Sequence, residues 1–511
     1  MKNLIALVAL SGVLAVQAAP VNLENVQKFA RGLSIESNIH RLEAMGLNDF
    51  EMSNPPWTSS FLPANRGYAA NNYHEKNGNL ISFISGEFSY SSNRKEYFED
   101  LEDFQSGRIT LTPEVVATLS TADKYDLLIG NFRNDTSLSH RLFDMADYIH
   151  DQFGTLTQWT GMCHGWAPAS VAHPAPLSTV YLISVDGRYR IPFYPNDIKS
   201  LLTIPFANST RAFMNDHRIQ TSGNPDDWSK EGIMPMIGNA CRQGSPRVDR
   251  RNGGRIRMSD NDRNSSISNC EDVNSAFYHL AILNLMGRHN QALVVDIDHN
   301  DKVNNHPTAG FKLKYFNPSN QNFYNSYRAA MAEVGTFNDS RREFRNPRAR
   351  YIVGVEIEMN FVDYRYFGKK IATDVDIQKY KKRTFDYDLE LDAQGNIIGG
   401  EWVNDLVERN IGPRGRGRRR IIERAGHKPD FLWYAPKGMR AEAYLETEVQ
   451  GSWNSPNQPI PQAWAQAAIN ASYQTNLDFA SNPDSNGNFP FRPQPEVIFG
   501  IAEKLLEFSR R

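Results

Sequence analysis

Cysteine is scarce in this chain, with three in 511 residues, at positions 163, 241 and 270. A disulfide framework cannot hold so long a polypeptide, and length alone is enough for two or three domains with a buried core. Neither sign of charge dominates: the formal net charge is −2, with 22% charged and 11% aromatic residues. That balance excludes nucleic-acid binding as the leading class, so any partner must be argued from local residues. After the first twenty residues no window offers the roughly 18 consecutive apolar residues of a membrane-spanning helix. No internal repeat is visible.

What is present begins at the N-terminus. Lys2 precedes an apolar run from Leu4 to Val16, and Val16-Gln17-Ala18 is a small-residue cleavage signal ahead of Ala19-Pro20. Residues 1–18 are therefore expected to be a secretory signal peptide, and the mature protein to be secreted or periplasmic. Export changes the reading of the cysteines. Cys241 and Cys270, 29 residues apart in a polar stretch, are natural disulfide partners, which leaves Cys163 as an odd thiol and a liability unless it works.

The segment 19–148 is acidic. Residues 21–150 hold 18 Asp or Glu against 11 Lys or Arg, a balance of −7. Apolar periodicity predicts helices over 26–35, 115–119 and 138–149. It carries no cluster of chemical groups, so it reads either as a helical pro-segment covering an active site or as an integral N-terminal domain, with 149–511 as the catalytic region.

The stretch Gln158-Trp159-Thr160-Gly161-Met162-Cys163-His164-Gly165-Trp166 carries the first chemistry. A thiol with a glycine two places before it and aromatics on both sides is the environment of a nucleophile in papain-like and transglutaminase-like enzymes. Gln158 or the Trp159 indole is a candidate oxyanion donor, and Trp159 and Trp166 are candidate cleft walls. Pro168 would sit in the second turn of a helix begun at Cys163, so a helix is expected to start nearer Trp166. A helix N-terminus at the sulfur would favour thiolate over thiol. The competing reading is a small hydrophobic residue buried beside tryptophan.

Residues 179–185 and 188–193 flank Asp186-Gly187 and read as a hairpin. Residues 276–283 and 292–297 read as two apolar strands that pair across a turn. Such a hairpin would bring His279 and Asp296 together, the carboxylate holding the imidazole while its other nitrogen faces a thiol. His289, His299 and His306 read as solvated turn residues, and His164 would point away from Cys163 in a helix. Asp298 shares a strand face with Asp296 and substitutes for it if the register slips. Asp296, Asp298, Asn300 and Asp301 alternate hard oxygen ligands, which makes Asp298, Asn300 and Asp301 weak calcium candidates; the glycine and terminal glutamate of an EF-hand are missing. Further on, 350–362 reads as a strand, 387–402 as a hairpin, 414–420 as a basic cluster and 496–508 as an amphipathic helix.

Gly161 to Pro168, the segments around His279 and Asp296, and Val303 to Lys312 together resemble the transglutaminase elicitor family of oomycetes and some bacteria. The family's elicitor peptide runs Val-Trp-Asn-Gln-Pro-Val-Arg-Gly-Phe-Lys. Val303, Asn305, Pro307, Gly310, Phe311 and Lys312 match it, whereas Asn304, His306 and Thr308-Ala309 depart. The resemblance implies an exported enzyme that joins glutamine to lysine through isopeptide bonds, an α+β papain-like core, a pro-segment and calcium dependence.

The sequence thus points to a protein-glutamine γ-glutamyltransferase with a Cys163, His279, Asp296 triad, acting on proteins that carry glutamine and lysine, with no cofactor needed for the chemistry itself. A papain-like cysteine peptidase or amidase would use the same triad with water in place of lysine. A non-catalytic wall-binding protein with an inert Cys163 is the reading from another class.

Overall fold

The structure is a computed structural model. It describes residues 21–70, 86–153, 156, 160–215, 234–238, 273–297, 303–339, 342, 345–365, 378–403, 406–410, 419–423, 428–429, 431–441, 451–473 and 497–511.

The fold mixes helix and sheet. Helices α1 (Leu23–Phe29), α2 (Ile39–Ala44), α3 (Gly86–Gln105), α4 (Pro113–Val116), α5 (Thr121–Ile129), α6 (Leu138–Phe153), α7 (Cys163–Ala172) and α8 (Pro195–Asn215) fill the first half of the chain. Among them runs the short strand β1 (Asp49–Glu51), and between α7 and α8 the hairpin β2 (Val180–Ile183) and β3 (Arg190–Phe193). Its turn holds Gly187 at φ 72°, as the Asp186-Gly187 pair predicts.

The second half supplies β4 (Met236–Gly238), β5 (Val294–Asp296), β6 (Asn305–Phe316), β7 (Phe323–Tyr324), β8 (Ala332–Glu333), β9 (Tyr351–Val362), β10 (Tyr380–Leu391), β11 (Ile397–Trp402), β12 (Leu406–Asn410), β13 (Arg419–Glu423) and β14 (Phe431–Trp433). The main sheet is antiparallel in the order β11, β10, β9, β6, β5, β14, β4, with β1 and β7 also on β6 and β8 on β9. The predicted strand at 350–362 is β9, and the predicted hairpin at 387–402 is formed by β10 and β11. The basic cluster at 414–420 lies mostly outside the described residues.

Period-two alternation decides which face is dry. On β9 the side chains of Val353, Val355, Ile357, Met359 and Phe361 enter one core with Phe385, Tyr387 and Leu389 of β10. The intervening Glu356 and Glu358 pair with Lys314 and Lys382 at 3.1 and 2.7 Å across the strands.

One expectation fails here. Residues 276–283 are not a strand but the helix Ser275–Ala281, which continues into a wide π turn over Ile282–Arg288. A run apolar on every side carries no period with which to tell buried helix from buried strand. The local signal was Asn274, whose side chain accepts from the Phe277 N–H and caps the helix. This helix roofs the Val353–Phe361 core, together with Val26 and Phe29 of α1 and Ile39 and Leu42 of α2.

A second core lies around α5, α6, α7, α8 and the C-terminal helix Phe499–Ser509. The acidic N-terminal part thus contributes to both cores. It also reaches the later chain through polar contacts: Lys124 Nζ donates to Asp197 Oδ2 at 2.8 Å with both side chains fully buried, and Lys199 Nζ donates to the Thr58 carbonyl at 3.0 Å. No described helix is long and apolar enough to cross a membrane.

Candidate active site

Cys163 is the first residue of α7. This corrects the expectation of a start near Trp166. Pro168 is accommodated inside the helix, while the Gly165 and Trp166 N–H groups both donate to the Met162 carbonyl at 3.0 Å and close the first turn. The helix can approach α8 because residue 165 has no side chain: a Cβ there would lie 2.4 Å from the Thr203 carbonyl oxygen and 2.6 Å from Ala207 Cβ.

Gly161 makes room for backbone. A Cβ on it would meet Phe61 Cδ2 at 2.6 Å and the Phe61 carbonyl oxygen at 2.7 Å, so the glycine admits a strand-like segment of the protein itself. The Met162 N–H donates to Phe61 O at 2.7 Å and the Ala64 N–H to Thr160 O at 2.9 Å. Trp166, expected in a cleft wall, is fully buried and donates its indole N–H to the Trp57 carbonyl at 3.1 Å. It therefore anchors that segment.

The Cys163 thiol is free and the residue half-buried. Its sulfur lies 3.9 Å from the Val303 carbonyl oxygen and 3.7 Å from Asn305 Nδ2, at the start of β6. Burial pushes the thiol pKa up; the Asn305 backbone and side chain and the His164 backbone N–H pull it down, and the negative charge of Asp296 raises it again. Asp296 ends β5, directly opposite Asn305 in the β5–β6 register, and its Oδ1 accepts the Asn304 N–H at 2.9 Å. Cys163, Asn305 and Asp296 are thus brought together by one helix N-terminus and two paired strand ends.

His279 is not among them. It sits in the Ser275–Ala281 helix, in the other core, with Nδ1 2.8 Å from the Tyr387 hydroxyl; none of its described contacts is with Cys163 or Asp296. Desolvation lowers its pKa to about 3, the state of a neutral core imidazole. His306 also departs from expectation. It is buried in β6, with Nδ1 2.9 Å from the Val362 carbonyl oxygen and Nε2 3.0 Å from Asn304 Oδ1, and its ring packs edge-on to Trp166. Among the described residues no imidazole nitrogen is hydrogen-bonded to the Cys163 sulfur.

Gln158, Trp159, Cys241, Cys270, Asp298, His299, Asn300 and Asp301 lie outside the described residues. Among those that are described, no group of three or more His, Cys, Asp or Glu side chains is arranged to hold a metal ion.

Two neighbours of the site were not singled out from sequence. Asn305 appeared only as a motif match; its burial, which calls for polar partners, shows only in the fold. Trp433 of β14 donates its indole N–H to Asn305 Oδ1 at 3.0 Å. Nothing local in the sequence connects residues 128 positions apart.

Residues 253–411 match the family model described as Transglutaminase elicitor, the family the sequence resembles. The matched region contains Asp296 and Asn305 but not Cys163. A comparison with curated proteins finds no match. Among solved structures the chain is similar to the GP42 transglutaminase from Phytophthora sojae, at 16% identity over 82% of this chain and 92% of that one, with a TM-score of 0.46.

Proposed function

We propose that this is an exported cysteine acyltransferase that joins protein glutamine to lysine. The observation that carries the reading is the free Cys163 at the N-terminus of α7, with N–H donors on its sulfur and a carboxylate on the adjoining strand. The family match over 253–411 supports the choice of reaction. The core is read as papain-like, because a thiol at a helix N-terminus faces polar residues at the ends of antiparallel strands.

In this reading the Cys163 thiolate attacks the carbon of a glutamine γ-carboxamide, forming an S–C bond. The helix N-terminus and nearby N–H groups offset the negative charge. Collapse breaks the C–N bond, and the nitrogen leaves as ammonia with the proton the thiol gave up. Asp296, whose charge is felt at the sulfur, keeps that proton at the site. A lysine amine then attacks the thioester, the S–C bond breaks, and the amine's proton restores the thiol. His279, expected as the proton donor, has no part in this scheme. Calcium remains an expectation of the family resemblance, and no step runs through it.

The test uses the full chain with a glutamine-rich protein and a fluorescent primary amine. The expected result is amine label on an unshortened substrate, abolished in Cys163→Ala. Backbone fragments without amine incorporation would instead identify a peptidase, and full activity in Cys163→Ala would remove Cys163 as nucleophile.

A further inference from the structure

The amide of Asn305 is held between two groups of different hydrogen-bonding character. On one side is the Trp433 indole, 3.0 Å from Oδ1. An indole nitrogen can only donate, so the atom facing it must be the carbonyl oxygen of the amide. On the other side is the Cys163 sulfur, 3.7 Å from Nδ2. Because an amide cannot turn one end without turning the other, Trp433 determines that Asn305 shows N–H, and never C=O, to the thiol.

The mounting is rigid. Asn305 is fully buried and sits in β6 opposite Asp296 of β5, while Trp433 of β14 is paired with Val294 of β5. The sulfur, the amide and the indole are therefore carried by α7 and two strands of one sheet. A thiol can reach the Val303 carbonyl as a donor, but a thiolate can only accept. The Asn305 N–H is matched to the second state. Of the charged side chains, Asp296 acts in the opposite sense, raising the cost of a negative sulfur. Even with this donor in place burial and the carboxylate leave the thiol pKa above its ordinary value, so losing the donor would hold Cys163 still more firmly as a thiol.

We propose that Asn305, clamped by Trp433, is a catalytic hydrogen-bond donor to the Cys163 thiolate. The inference rests on Cys163 being the nucleophile of the proposed acyl transfer. It adds a specific requirement: the amide must stay oriented by an indole donor for the sulfur to be reactive near neutral pH.

The experiment measures the pH dependence of iodoacetamide alkylation at the Cys163 peptide by mass spectrometry, in the full-length protein and in Asn305→Ala, Asn305→Asp and Trp433→Phe, with thermal unfolding run in parallel. A hydrogen bond to a charged group is large enough to move a thiol pKa by about one to two units. Asn305→Ala is therefore expected to shift the profile upward and to slow alkylation about ten- to a hundred-fold at neutral pH. Asn305→Asp keeps size and shape but turns an oxygen toward the sulfur, so it should be slower still. A role in packing alone predicts the reverse order. Trp433→Phe removes the clamp and leaves the amide in place, and an intermediate shift is expected. If Asn305→Ala fails to fold, the Trp433→Phe profile decides. Superimposable profiles for wild type and either folded Asn305→Ala or Trp433→Phe would overturn the inference. The readout is chemical modification, so it is independent of cross-linking. A wild-type protein with the expected variant shifts but no amine incorporation would discard the transferase reading and leave the clamp standing.

Discussion

Replacing Asp197 with asparagine tests whether the acidic N-terminal part is built into the rest of the fold or merely laid over it. Asp197, in the first turn of α8, accepts from Lys124 Nζ at 2.8 Å, from Thr121 Oγ1 at 2.6 Å and from the Tyr194 N–H at 2.8 Å. Two of these come from α5, within the 19–148 segment, and Lys124 also lies over the Tyr194 ring at 3.9 Å. Both charges are out of water, so removing one leaves the other uncompensated, at a cost of about 3–5 kcal/mol. With a urea dependence of about 3 kcal/mol per molar, the unfolding midpoint should fall by about 1–1.7 M. Burial already lowers the Lys124 pKa, and losing Asp197 lowers it further. Its folded pKa is then below the unfolded value, so the unfolded chain binds the extra proton and stability must rise with pH. Part of the loss in Asp197→Asn should return by about pH 10. The double variant Lys124→Met/Asp197→Leu, which removes both charges of this pair, should unfold close to wild type. A midpoint shift below about 0.3 M urea, or a double variant worse than the single, would refute the reasoning. The corollary is functional: proteolysis that removes residues before Tyr148 strips Asp197 of Lys124 and Thr121, and should lower thiol reactivity and activity rather than release them.

Gly165→Ala places a methyl carbon 2.4 Å from Thr203 O and 2.7 Å from Ala207 N, both backbone atoms of α8. Overpacking of this kind costs about 1–3 kcal/mol and must push α7 outward, so the melting temperature and the Cys163 alkylation rate should both change; an unaltered protein would contradict the α7–α8 contact. Desolvation holds the pKa of His279 at about 3 and that of His173 at about 4, against about 6.5 in the unfolded chain. Between about pH 6.5 and 4 the unfolded state takes up protons that the folded state refuses, so stability falls with pH by about 1.4 kcal/mol per unit for each histidine. His279→Phe should flatten this slope by about one proton without moving the Cys163 alkylation profile. An unchanged slope would mean that His279 is not a neutral core residue.

What could be read along the chain was whatever depends on near neighbours. The strand-like run of 350–362 and the alternation in 387–402 foretold strands there, and Asp186-Gly187 the tight turn, because the side-chain period and the backbone φ of glycine are local properties. Cys163 was legible as the odd thiol in an aromatic, glycine-flanked stretch, and Asp296 as a carboxylate at a strand end. The fold alone decided what those residues meet. The segment around His279 is apolar on every side, so its period is silent; apart from the Asn274 cap, it is burial under α1 and over β10 that favours a helix, which turns the imidazole to Tyr387. Gly161 and Gly165 proved to be sites of backbone approach by Phe61 and α8, which no neighbouring residue announces. Asn305 and Trp433 became partners because β14 joins the edge of β5, and strand order in a sheet is set by long-range pairing rather than by any pattern within a strand.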